Sequence, residues 1–213
     1  MRRLLADVRS ALRGRPVHVL RTLWLTLLCV CLTGALHAWQ TSGPDGLRAV
    51  SWLGGVEAGQ AWWVALLRTP LSLFVPAPDL PVWGALAQVL VVFGVAEIAL
   101  GRRWLLLVAY VGTLAGTCFA RLGVALGPDV PVLGLPAHVA AERDTGPSAA
   151  VLALALALAW RYRAYVTGTV LYAVMLTEAL AIGNLAGKEH VTALTVTLAL
   201  CALWLRPLPR DPA

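Results

Sequence analysis

The chain has 213 residues, 59% of them apolar and 13% charged, with a formal net charge of +6. Soluble domains carry roughly 25% charged residues, so a water-facing fold of this size would strand apolar surface that a bilayer accepts. The positive charge does not point to nucleic acid, because the basic residues fall in short clusters between apolar stretches, as at the flanks of membrane spans.

Residues 1–16 read as a basic amphipathic arm on the inner leaflet. Residues 17–205 read as one membrane domain, and 206–213 as a short cytoplasmic tail. Within the domain, six apolar stretches are predicted to span as helices: Val17–Trp39, Val82–Leu100, Trp104–Ala120, Ser148–Trp160, Tyr165–Ile182 and His190–Leu205. The first is read as a span rather than a cleaved leader. It exceeds the 7–15 apolar residues of a typical leader core, and a cut after Ala38 would put bulky Leu36 three residues before it. Ala149–Ala159 alternates Ala with Leu or Val, a strand-like period. It is assigned to helix because both are strong helix formers and a lone strand cannot satisfy its backbone in lipid.

Orientation follows from the arginines and the single lysine. With the N-terminus inside, the cytoplasmic side holds Arg2, Arg3, Arg9, Arg13, Arg15, Arg21, Arg102, Arg103, Arg161, Arg163, Arg206 and Arg210. The outside holds Arg48, Arg68, Arg121, Arg143 and Lys188, five against twelve. The positive-inside rule therefore puts both ends in the cytoplasm of a multi-pass protein of the cell inner (plasma) membrane. Sixteen arginines to one lysine, with abundant Ala, Leu and Val, fit a GC-rich bacterial genome.

Two external connections are long. Gln40–Pro81 carries Trp52, Trp62 and Trp63 in short apolar runs, which suits a segment lying in the outer interface. Leu122–Gly146 is rich in Pro and Gly. Cys29, Cys31, Cys118 and Cys201 all sit in apolar stretches and read as small fillers. Ser148–Trp160 is thirteen residues, about 20 Å of helix against a hydrocarbon core of ~30 Å. Such a helix is either encased by its neighbours or begins below the outer surface.

Asp144-Thr-Gly-Pro-Ser148 opens this short span. Pro147 suits a first helical turn, and Asp144 or Thr145 can cap it. Ser148 then sits among unpaired N–H groups at the positive end of the helix dipole, a place that stabilises an oxyanion. The topology puts His190, at the outer start of the sixth span, on the same membrane face. A serine nucleophile needs such a base within hydrogen-bond reach. The bland alternatives are a plain helix cap and a solvated interfacial histidine.

These features together resemble the rhomboid family of intramembrane serine proteases. That family has six core helices, a Gly-x-Ser-Gly serine atop a short fourth helix, and a histidine in the sixth. Gly146-Pro-Ser148-Ala matches all but the last glycine. Gln60–Phe74 looks like the family's first-loop stretch, with Val64 where an arginine is expected. Phe93-Gly94-Val-Ala-Glu97 and Gly101-Arg-Arg-Trp-Leu-Leu-Leu resemble the end of its second helix and the start of its third. The resemblance spans residues 20–205 and is strongest to actinobacterial rhomboid-like proteins.

The resemblance implies an all-α, rhomboid-like six-transmembrane-helix bundle with a long interfacial first loop. It implies catalytic residues Ser148 and His190, with Gly146 and Pro147 shaping the oxyanion and substrate region. Transmembrane substrates or client helices would be the partners, within the lipid bilayer; no cofactor and no metal are implied. Two departures bear on activity. Val82–Gln88 lacks the His and Asn that hold the oxyanion in active members, and Gln88, its one amide, reads as too deep. Ala193 and Thr197 replace the small glycines of the sixth helix. The alternatives are therefore an inactive relative that binds transmembrane helices, and a small transporter or channel subunit flagged by Glu178 within the fifth span. His138 and Glu142, with Glu189 and His190, form a weak metal-site pattern.

Overall fold

The computed structural model describes residues 2–77 and 81–209. Met1, residues 78–80, and Arg210 with the rest of the tail lie outside the described residues. Among the described residues the fold is mostly helical, with one pair of two-residue strands.

Helix α1 (Arg2–Leu12) is amphipathic, with Leu4, Val8 and Leu12 at i, i+4 spacing. Leu4 packs against the core, and the Tyr162 hydroxyl donates to Asp7 Oδ2 at 2.7 Å. Then come α2 (Pro16–Thr22) and α3 (Trp24–Gln40), which meet at an angle of 73°. Val17–Trp39 is thus not one straight helix, as the hydropathy implied; the chain breaks at Leu23.

The cause lies some seventy residues away. Glu97, 4% exposed, accepts the backbone N–H groups of Leu25 and Thr26 at 3.3 and 2.8 Å, and the Thr26 hydroxyl at 2.8 Å. Arg102 Nε lies 2.9 Å from Glu97, and its terminal nitrogen donates to the Arg21 carbonyl at the end of α2. The carboxylate caps the positive start of one helix while the guanidinium caps the negative end of the other.

The connection that follows α3 folds into α4 (Pro44–Gly54) and α5 (Trp62–Ser72), and leaves Trp52, Trp62 and Trp63 exposed. Helix α6 (Val82–Ala99) contains a π-helical stretch, Val89–Phe93, directly after Gln88. Helix α7 (Arg102–Leu126) runs six residues past the expected Ala120. Its buried stripe, Leu105, Val108, Ala109, Gly112, Thr113, Gly116, Thr117 and Ala120, is built of small residues at helical spacing. A Cβ on Gly112 would stand 2.6 Å from Ala153 Cβ, so glycine permits the close approach of α7 to the next helix.

That helix, α8 (Ser148–Arg161), is the centre of the molecule. Its Ala/Leu alternation is helical, and Ala150, Ala153, Leu154 and Ala157 are fully buried. It packs against α6, α7, α9 (Tyr165–Ala181) and α10 (Leu185–Trp204). Its short length is thus accommodated by encasement. Helix α9 buries only Gly168 and Ala179 and exposes Val166, Val170 and Leu180 outward. On α10, Ala193 and Thr197 are fully buried where the helix meets α7 and α8. Interhelical contact through small side chains is how helices pack tightly in lipid.

Helices occupy all six stretches predicted to span. Two of them, α6 and α7, are long and apolar enough on their own to cross a bilayer, and the bent α2–α3 pair would make a third. Helices α8 and α9 are shorter apolar helices, and Lys188, Glu189 and His190 lower the hydropathy of α10. Strand β1 (Val56–Glu57) pairs antiparallel with β2 (Arg143–Asp144), Val56 opposite Asp144. This bridge fastens the connection between α4 and α5 to the segment that leads into Ser148. The four cysteines are free, Cys29 and Cys201 buried, Cys31 and Cys118 exposed.

Candidate active site

Ser148 is the first residue of α8, and no side chain caps that helix. The expected caps are not used. Asp144 Oδ2 instead accepts from the Thr117 hydroxyl on α7 at 3.0 Å. The N–H groups of the first turn, which no intrahelical carbonyl can reach, are therefore left without a side-chain cap.

Gly146 and Pro147 form the wall in front of Ser148, but neither is an oxyanion donor. The Gly146 N–H is bound to the Ser72 carbonyl at 3.0 Å, and proline has none. Gly146 has φ +120°, a region open to glycine and strained for other residues. The chain uses it to turn from β2 into α8.

His190 stands on the second turn of α10. Asn184 fixes the start of that helix by accepting from the Gly187 N–H at 2.9 Å. Because α10 packs side by side with α8, His190 Nε2 comes within 3.0 Å of Ser148 Oγ. Ser148 is exposed and His190 half-buried. His190 Nδ1 is buried without a hydrogen-bond partner. The two residues singled out from sequence, 42 positions apart, are in hydrogen-bond contact.

Two cavities open on Ser148. One, about 310 Å³, lies toward α6 and is lined by Pro81, Gly84, Gln88, Gly146 and Pro147. Gln88, read from the sequence as too deep, lines the same cavity as the serine. The other cavity, about 150 Å³, lies between α7, α8 and α10 and is lined by Thr113, Glu142, Asp144, Glu189 and His190. Burial pushes the Asp144 carboxyl above its ordinary value of 3.8, against the opposing effect of the Thr117 hydrogen bond.

Sequence reading set Gln88 aside as too deep, placed Glu189 only in a weak metal pattern, and passed over Thr117. Glu189 carried a signal, as a carboxylate next to the candidate base at the edge of an apolar span. Thr117 carried none, one hydroxyl among many small residues. Glu178 is half-buried on α9 and lines neither cavity at Ser148. His138 Nε2 is 4.0 Å from Glu142, both well exposed. Among the described residues, no group of three or more His, Cys, Asp or Glu is arranged to hold a metal ion.

No family model, no curated protein and no solved structure matches this chain.

Proposed function

We propose that the chain is a rhomboid-like, six-span membrane serine endopeptidase, with both ends cytoplasmic, that cleaves transmembrane substrates near the outer face. The observation that carries this reading is the 3.0 Å contact between His190 Nε2 and Ser148 Oγ at an uncapped helix start.

With the imidazole proton on Nδ1, Nε2 accepts from the serine hydroxyl. Ser148 Oγ attacks the substrate carbonyl as its proton passes to Nε2. The oxyanion meets the first-turn N–H groups of α8 and the Gln88 amide. Collapse breaks the C–N bond, and Nε2 returns the proton to the leaving amine. Water then attacks the acyl-enzyme, again with His190 as base, releasing the acid and restoring Ser148. No cofactor takes part. The exposed tryptophans of α4 and α5 support an interfacial first loop around the site.

A second reading is a helix-binding protein without catalysis. It is favoured by His190 Nδ1, which lacks the orienting partner usual for a general base. Co-reconstitution in liposomes with single-span reporter helices separates the two. Cleavage that stops in both Ser148→Ala and His190→Ala supports the peptidase. Intact reporters that co-purify equally with wild type and Ser148→Ala support the second reading.

A further inference from the structure

The cavity between α7, α8 and α10 holds more carboxyl groups than a Ser148–His190 pair uses. Glu142, Asp144 and Glu189 line it, against Arg143 and His190. Glu189 is 6% exposed, and its Oε1 has no hydrogen-bond partner. Asp144 accepts one bond, from Thr117. Among the described residues, no basic side chain pairs with either.

The neighbouring cations are turned elsewhere. Arg121, one turn beyond Thr117 on α7, donates to the carbonyls of Glu57 and Gln60. Lys188, adjacent to Glu189, donates to the Gly134 carbonyl at 3.3 Å. Arg143 is exposed at the cavity rim. A buried carboxylate without donors is strongly unfavourable, so Glu189 holds its proton until a cation enters the cavity and supplies the charge that lets it ionise. The cavity volume of about 150 Å³ is several times the ~30 Å³ that one water occupies in the liquid.

We propose that this cavity is a recognition pocket for a cationic side chain, lysine or arginine, of a peptide presented to Ser148. The proposal rests on the peptidase reading, and it deepens that reading by naming the substrate class. The pocket wall includes both Ser148 and His190, so the cation belongs to the residue whose carbonyl is attacked. An ammonium or guanidinium supplies the donors that Glu189 and Asp144 lack, and a guanidinium can bind a carboxylate with two parallel bonds. An acidic side chain is repelled.

The test uses peptidyl diphenyl phosphonates, identical except for the side chain beside phosphorus: lysine, arginine, alanine or glutamate. Phosphorus bonds to Ser148 Oγ and phenoxide leaves, taking the serine proton by way of His190. Modification of the full chain in detergent is timed by intact mass. The basic probes are expected to react at least about tenfold faster than the alanine probe, with glutamate slowest. Glu189→Gln and Asp144→Asn are each expected to shrink the basic-to-alanine ratio. A ratio near one in wild type, or a ratio unchanged in both variants, overturns the proposal. If no probe, simple fluorophosphonates included, modifies Ser148, the peptidase reading fails by itself, and the pocket is read by calorimetry with benzamidine and neutral benzamide. Binding of benzamidine alone, lost in Glu189→Gln, sustains the pocket; absence of benzamidine binding overturns it.

Discussion

Glu97 and Arg102 meet at 2.9 Å and together close the two helix ends left open by the break at Leu23. One carboxylate and one guanidinium thereby set the angle at which the α2–α3 pair enters the bundle. Arg102 is half exposed, so the cost of losing Glu97 falls on the buried N–H groups of Leu25 and Thr26, about 1–3 kcal/mol for each left unmet. Glu97→Ala is therefore expected to lower the unfolding midpoint strongly, and Glu97→Gln less, since the amide oxygen still accepts from Thr26. Thermal unfolding in detergent checks the order; equal midpoints for the two variants would remove the capping role.

Gly146 turns the chain at φ +120° immediately before Pro147 and Ser148. An alanine there carries strain of order 1–3 kcal/mol, which the short lead into α8 can relieve by shifting Ser148. Gly146→Ala is expected to fold, with a lower midpoint, and to lose most Ser148 reactivity. Full reactivity in the folded variant would mean that the turn does not position the serine.

Gln88 is the side-chain amide lining the cavity between α6 and Ser148. Loss of one oxyanion donor typically costs ~10²–10³ in rate. Gln88→Ala is expected to depress kcat on a cleaved reporter by that order, with a much smaller change in KM. A change confined to KM would assign the amide to substrate binding instead.

Asp144 has its carboxyl raised above the ordinary 3.8, chiefly by burial. The folded state then binds more protons than the unfolded one above that value. The stability that this group contributes is full below pH 3.8 and is lost as pH rises through the folded-state value. Wild type is expected to lose midpoint as pH rises from about 4, and Asp144→Asn to show a flatter profile. Parallel profiles from scanning fluorimetry would contradict the burial of that carboxyl.

Much of the architecture was legible in residue order. The places of the helices follow from apolar runs punctuated by Gly, Pro and Arg. Ser148 and His190 were legible because each tops a helix on one face, so that side-by-side packing of α8 and α10 suffices to join them. What was hidden depends on contacts across long separations. Hydropathy cannot sense the bend at Leu23, because its cause sits on α6 and α7. Asp144 read as a local cap, yet its carboxylate goes to Thr117 on another helix. Gln88 read as too deep, yet it lines a cavity together with Ser148, a juxtaposition of α6 with the start of α8 that residue order does not show. The Val56–Asp144 bridge joins two loops too short and irregular to announce strands.

The central claim is that the 3.0 Å contact between His190 and Ser148 makes an activated nucleophile. Labelling of the purified protein with a fluorophosphonate measures this most directly, alongside Ser148→Ala, His190→Ala and a known active rhomboid. The account predicts covalent labelling of wild type at Ser148 and its loss in both variants. An unlabelled wild type, beside a control labelled in the same detergent, would contradict it.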